Sequence, residues 1–373
     1  MQFIDLKTQY ERIESDIRKR IDKVLQSQTF IMGSEVGELE ERLADYVGVR
    51  NAITCSSGTD ALLMALMAFG LERNSAVFVP SFTFFASAES ISLAGGIPVF
   101  VDCDPDDFNI SISSLETEIQ RVLTEGLLRP RGIIAVDLFG QPADYDALQK
   151  VADSYGLFLI EDAAQGFGST YQGKKAGSFG TMAATSFFPA KPLGCFGDGG
   201  AVFTNDDEFA EVLKSIRIHG QGIDKYDNVR IGINGRMDTV QAAILLAKLA
   251  IFDSELETRN QVALSYHELL HDVLTVPMIK ADRTSAWAQY SLLAKDTAER
   301  SRIINTLKEA DIPSAIYYSK PIHLSEAYKN HYYQSGSLPV CEDFAQRIFS
   351  IPFHPYLSIK DIKTITSVIR SAL

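Results

Sequence analysis

Between Asn51 and Asp206, short apolar runs alternate with longer stretches whose apolar residues recur every three or four positions. The runs Ala76–Pro80, Ile97–Asp102, Ile133–Leu138, Leu157–Ile160, Ala183–Phe188 and Ala201–Thr204 have the length and nearly continuous apolar character of buried strands. The stretches Ala61–Phe69, Ala86–Ala94, Ala143–Tyr155 and Asp207–Ile216 read as helices, the crossovers that parallel strands require. This pattern predicts an α/β fold with a mostly parallel sheet covered by helices, whose ligands bind beyond the carboxyl ends of the strands. Val240–Phe252 is the most apolar helical stretch, but Lys248 interrupts it. It is too short for a bilayer, which takes about 20 residues, and reads as a buried helix. After Phe252 the pattern changes. Ala286–Ala294 alternates like a half-exposed strand, Thr297–Ala310 is helical, Pro313–Tyr318 reads as a strand and Ile359–Ala372 as a closing helix. The expected organisation is a large domain with an N-terminal helical segment over 1–254 and a smaller α+β domain over 255–373, joined near Glu255–Arg259.

Charge and composition narrow the function. The net charge of −13 and the lack of a basic patch argue against a nucleic-acid surface. An anionic ligand would need specific cations or backbone amides. Cys55, Cys103, Cys195 and Cys341 have neither metal-ligand spacing nor CxxC pairing, so reduced thiols and no metal are expected. Met1–Arg20 is charged and amphipathic and lacks the apolar core of a signal peptide. A cytoplasmic protein without membrane contact is expected.

Four features at strand ends carry chemistry. Ser57-Gly58-Thr59-Asp60 precedes an apolar helix, whose free amides and dipole suit a phosphate, although the same residues form an ordinary helix cap. Leu157–Asp162 is an apolar strand ending in two carboxylates, Glu161 and Asp162. A carboxylate there can keep a pyridinium ring charged as an electron sink, or serve as a cap or solvated charge. Ser186-Phe187-Phe188-Pro189-Ala190-Lys191 sets a hydroxyl and a lysine between an apolar strand and the run Gly194–Gly200. Desolvation there would turn Lys191 into a Schiff-base nucleophile, whereas most lysines are simply solvated. Phe84 follows a strand and either stacks on a planar ring or belongs to the core. A lysine, an acid, a phosphate cup and an aromatic face together fit pyridoxal 5'-phosphate. A nicotinamide dehydrogenase fits poorly, because no GxGxxG follows the first strand.

The segments SSGTDAL, PSFTFFASAESI, VDCDP, LFGQPADYDAL, IEDAAQGFGS, SFFPAKPLGCFGDGGAVFTND and GINGRMDTVQAA occur in this order, between FIDLKTQYERI and SIPFHPYL. In them the chain resembles the DegT/DnrJ/EryC1/StrS family of sugar aminotransferases over essentially its whole length. The nearest branch acts on UDP-2-acetamido-2-deoxy-3-oxo-hexuronic acids. The resemblance implies a fold-type-I PLP-dependent transferase and a homodimer with shared active sites. It implies amino transfer from glutamate to a keto nucleotide sugar, for surface polysaccharide or lipopolysaccharide biosynthesis. It makes Lys191 the Schiff-base lysine and Asp162 the pyridinium partner. Gln165 would lie near the ring's phenolic oxygen and Phe84 on its face. Gly58, Thr59 and Ser186 would hold the phosphate, with Asn234 supplied by the other subunit. Arg236 is implied as an anion anchor, and Tyr317, Tyr318 and His323 as sugar contacts. Two positions depart from the family's pattern: Asp137, where histidine or serine is common, puts the pocket's polarity in question, and Ala190 stands where serine or glycine is frequent. Relatives with histidine in place of the lysine are dehydratases, which Lys191 argues against. Two other readings stay open, a 4-aminotransferase of GDP- or dTDP-4-keto-6-deoxysugars and a non-catalytic cofactor-binding regulator.

Overall fold

The computed structural model describes residues 1–373 apart from Lys225, Asn330 and His331. Helices α1 (Leu6–Ser27) and α2 (Ser34–Val47) lead into β1 (Asn51–Cys55) and α3 (Gly58–Phe69). Then come β2 (Ser75–Pro80), α4 (Ala86–Leu93), β3 (Ile97–Val101), α5 (Ile112–Glu125) and β4 (Arg129–Val136). The sheet domain continues with α6 (Tyr145–Tyr155), β5 (Phe158–Asp162), a hairpin of β6 (Thr170–Tyr171) and β7 (Lys174–Lys175), and β8 (Met182–Ser186). After β9 (Gly200–Thr204) follow α7 (Asp207–Arg217), α8 (Thr239–Leu249) and α9 (Phe252–Leu270). The remainder holds β10 (Tyr290–Leu293), α10 (Thr297–Glu309), α11 (Pro339–Arg347), β11 (Ile348–Ile351) and α12 (Ile359–Ser371).

The central sheet has the order β1-β9-β8-β5-β4-β2-β3, and only β9 runs against its neighbours. Successive strand residues face opposite sides. Ile53, Ala184 and Val202 therefore join a core with α3, α4, α5, α6 and α7, while Ala52, Ala183 and Ala201 join another with α2 and α8. A sheet covered on both faces explains the unbroken apolar runs. No helix among the described residues is long and apolar enough to cross a membrane.

Two expectations need correction. Pro313–Tyr318 is not a strand: Ala315 alone bridges Ser350, and β11 is the partner of β10. Of Ala286–Ala294, only Tyr290–Leu293 forms a strand, and it is buried rather than half-exposed. The expected junction at Glu255–Arg259 lies inside α9, which runs straight through it. Its Leu256 packs with the sheet-domain core and its Val262 with the C-terminal core. Ile322, Tyr328, Cys341 and Phe344, from beyond the C-terminal core's α10, join the core of the sheet domain. The cysteines are not all apart either. Cys103 and Cys341 have sulfurs 3.3 Å apart, next to the Asp102 carboxylate. Asp102 accepts the amides of Val340 and Cys341, which caps the start of α11.

Candidate active site

The antiparallel β9 brings two distant strand ends together. Cys55 at the end of β1 and Ser186 at the end of β8 both lie opposite Gly200. A side chain at Gly200 would collide with the Ser57 carbonyl, 2.4 Å from the position of its Cβ. Gly58 likewise lies against Ser186, leaving 2.5 Å between a Cβ there and the serine's own. Ser57 caps α3 by accepting the Asp60 amide, and the helix start at Gly58 and Thr59 follows, with Gly58 against the Ser186 side chain. Two glycines and a helix start thus form a small cradle with donors and no bulk, which fits a phosphate.

The next strand, β5, ends in Asp162. Its carboxylate accepts the Ser87 hydroxyl at 2.8 Å and the Ala164 amide at 3.2 Å. Burial pushes its pKa up, while the two hydrogen bonds and the charge of Lys191 pull it down. Burial lowers the Lys191 pKa in turn, opposed by Asp162. Among the described residues, no hydrogen bond or ion pair occupies the Lys191 amine. The loop that carries it is pinched at its neck, where Phe187 donates to the Gly199 carbonyl and Cys195 donates to that of Phe187. A desolvated amine opposite a buried carboxylate is poised to attack a carbonyl and to move protons.

Gln165 is fixed by the Phe139 amide at 2.9 Å and donates to the Tyr318 hydroxyl at 3.1 Å. That contact brings Tyr318 to the Asp162 side of the cleft. The Phe84 ring lies 6.4 Å from that of Tyr318 and is 56% exposed, which removes the core reading. Tyr317 packs against Phe3 of the N-terminal segment. His323 does not face the cleft: it is buried, with Nδ1 on the Ser81 hydroxyl and Nε2 facing Glu342. Both ring nitrogens are engaged inside the chain, which leaves neither for a sugar. Asn234 is exposed beside the end of β1, where the Ser56 amide donates to the Gly235 carbonyl. Arg236 donates to Asn234 at 2.6 Å, and its buried Nε has no partner among the described residues. Asp137 is fully buried and bonds Tyr145 and the Ala143 amide, so it does not set the pocket's polarity directly. The sequence reading missed Ser87, whose place in the first turn of α4, five residues beyond Phe82, gave no signal of the Asp162 contact.

The family model for DegT/DnrJ/EryC1/StrS aminotransferases matches residues 11–370. The chain belongs to this family. It is 43% identical to the UDP-2-acetamido-2-deoxy-3-oxo-D-glucuronate aminotransferase of Pseudomonas aeruginosa, with 99% of each chain covered. Among solved structures, a DegT DnrJ EryC1 StrS aminotransferase from Brucella abortus is similar at a TM-score of 0.97 and 51% identity, covering 100% of this chain and 99% of that one. DesV of S. venezuelae, solved in complex with a ketimine intermediate, has a TM-score of 0.94 and 35% identity, covering 99% and 97%. As a member of this family the chain is an aminotransferase of the fold-type-I class, with its mostly parallel sheet at the centre.

Proposed function

We propose that this chain transfers an amino group from glutamate to C3 of a UDP-2-acetamido-2-deoxy-3-oxo-hexuronic acid, with pyridoxal 5'-phosphate as its cofactor. The observation that carries this reading is the desolvated Lys191 amine opposite Asp162, in a chain that matches the Pseudomonas aeruginosa enzyme along its full length. The place of such a reaction is the cytoplasm, in the supply of amino sugars for surface polysaccharide. When bound, the cofactor supplies a carbonyl for the amine and a ring that takes up negative charge. Gly58, Thr59 and Ser186 hold the phosphate, Asp162 keeps the ring nitrogen protonated, Gln165 and Phe84 fix the ring's tilt, and Lys191 carries the proton between the reacting carbons. The buried Phe82 and the exposed Phe84 flank Tyr318 and give that transfer an aromatic wall.

The substrate's carboxylate gives the first test. Among the described residues, Arg236 makes no ion pair with Asp238 or any other acid, so its guanidinium is available to an anion. A charge-assisted pair of about 1.5–3 kcal/mol corresponds to roughly ten- to a hundredfold discrimination. We expect kcat/KM for the 3-keto uronate to exceed that for its neutral counterpart by this factor, and the advantage to vanish in Arg236→Met. A parent enzyme that does not discriminate refutes the uronate reading. Discrimination that survives in Arg236→Met assigns the anchor elsewhere. Preference for a 4-keto-6-deoxysugar in the same panel would overturn the assignment of the carbon.

The reading includes a homodimer in which Asn234 and Arg236 complete the partner's site. Large apolar residues near that loop support it: Ile223, Val229 and Ile231 are more than half exposed, and Phe30, Ile31 and Met32 flank the start of α8. Mixing inactive Lys191→Ala with an inactive Asn234→Ala/Arg236→Ala variant should restore activity, because each mixed dimer has one unmutated site. Subunit exchange without recovered activity would refute shared sites.

A further inference from the structure

Behind Asp162, on the other face of the sheet, lie two more buried carboxyl groups. Ala135 pairs with Glu161 and Val136 with Asp162, so strand alternation turns Glu161 away from Asp162 and toward the side of Asp137. Both side chains are fully buried. Glu161 accepts the amides of Gly177 at 2.7 Å and Phe179 at 2.8 Å, one on each oxygen. Asp137 accepts the Tyr145 hydroxyl at 2.6 Å and the Ala143 amide at 3.1 Å, both on Oδ1. Its Oδ2 is buried and receives no N–H, nor a hydroxyl, from the described residues. The Glu161 carboxyl, on the same side of the sheet, is the acid that interacts with it most directly. An orphaned buried acceptor facing a second carboxyl is satisfied if the second carries a proton.

We propose that Asp137 and Glu161 share one proton, held on Glu161 and donated to Asp137, and act as a positioning pair whose single negative charge backs Asp162. Burial raises the pKa of both groups, and the charge of Asp137 raises that of Glu161 further. The other titratable groups around the pair are Tyr145 from α6 and Asp162 from β5, with Lys191 beyond Asp162. The turn Gly177–Phe179 presents only backbone amides to it. Two observations tie the pair to the site. The Asp137 amide donates to the Asp162 carbonyl at 3.1 Å. Gly166, next to Gln165, packs so closely on Asp137 that a Cβ there would come within 2.4 Å of Oδ2. The pair thus braces the segment Asp162–Gly166 and adds a fixed charge that favours a protonated ring nitrogen.

This inference rests on the cofactor reading for its second part only, and the two parts are tested separately. In the cofactor-free protein, the native pair keeps a proton that unfolded carboxyl groups release above about pH 4–5. Native protein then binds one proton more than unfolded protein, so stability falls as pH rises. Asp137→Asn turns the Oδ2 position into a donor for an ionised Glu161, conserving shape and charge while removing the shared proton. Over the pH units above about 5, the folding equilibrium of the parent should therefore lose about tenfold more per unit than that of Asp137→Asn. The infrared band of a protonated carboxyl group should be present in the parent and absent from Asp137→Asn. Equal pH slopes, or a band that persists, overturn the shared proton whatever the cofactor does.

The second part compares charges. Asp137→Asn and Glu161→Gln each leave one negative charge, whereas the double variant leaves none. With cofactor bound, each single variant should keep the absorption of the protonated ring and lose no more than a few-fold in kcat. The double variant should shift that spectrum and lose at least about tenfold more than the singles combined. Losses that simply add, with an unchanged spectrum, would make the pair a packing feature only. If the double variant does not fold, Asp137→Leu/Glu161→Gln, which likewise leaves no charge, supplies the comparison of spectra.

Discussion

Lys191→Ala should abolish turnover and leave the fold intact. The fold should survive because the amine bonds nothing among the described residues, and Asp162, which loses its nearby charge, keeps its hydrogen bonds from Ser87 and Ala164. Activity should fall by at least about 10⁴-fold, since loss of a positioned proton carrier alone costs roughly 10²–10⁴-fold and the covalent role goes with it. The protein offers an internal rival. Lys248 on α8 is also buried, with its pKa lowered to about 8 by burial and no hydrogen-bond partner for its amine. Its amine lies 4.6 Å from the centre of the Phe196 ring, and its titratable neighbours are the Cys195 thiol and Glu255, not Asp162. Borohydride reduction of the loaded enzyme and peptide mapping separate the two. Label on Lys191 supports the assignment, and label on Lys248 or any other lysine ends it.

The second large effect is expected in Asp162→Asn. Asparagine keeps an acceptor for the Ala164 amide, and its amide can donate to the Ser87 hydroxyl, which turns its own proton toward Thr83. Shape is preserved and the charge is lost. Single-turnover amino transfer should slow by about 10²–10³-fold, the usual scale for one electrostatic contact to developing charge. Cofactor occupancy, which also depends on the phosphate cradle and the Lys191 bond, should fall by far less. An undiminished single-turnover rate would show that another acid keeps the ring protonated.

The outline of this site was legible because its principal residues terminate strongly apolar strands. Asp162 ends one apolar strand and Lys191 lies in the loop after another, so their polarity stood out. Gly58 and Ser186 were legible as local signals, but not as neighbours, because their meeting depends on the reversed strand β9. β1 itself was not read as a strand, since Asn51-Ala-Ile-Thr-Cys55 mixes polar and apolar residues at an edge position. The helix α5 was missed as well. His323 was misplaced for a related reason: a histidine's partners, here Ser81 and Glu342, lie far away in sequence. Asp137 stood out as a departure from the family's pattern, yet its meaning depends on Glu161 and on which way each strand faces. Glu161, read only as a neighbour of Asp162, turned out to face the opposite side of the sheet. Pro313–Tyr318 has the composition of a strand but only one bridging residue, and composition does not reveal pairing partners.

The strand order also sets a timetable for synthesis. A nascent chain makes β1 early, but β1 has only β9 to pair with, and β9 is the last strand of the sheet to leave the ribosome. Until then the first-turn amides of α3 have no fixed distance to Ser186, and β1 remains an unpaired edge. β2, β3, β4 and β5 can associate earlier, since each follows its neighbours closely along the chain. The cradle of Gly58, Ser186 and Gly200 is therefore the last part of the sheet to take shape. A chain arrested before Thr204 would carry Asp162 and Lys191 in full and still have no place to seat a phosphate.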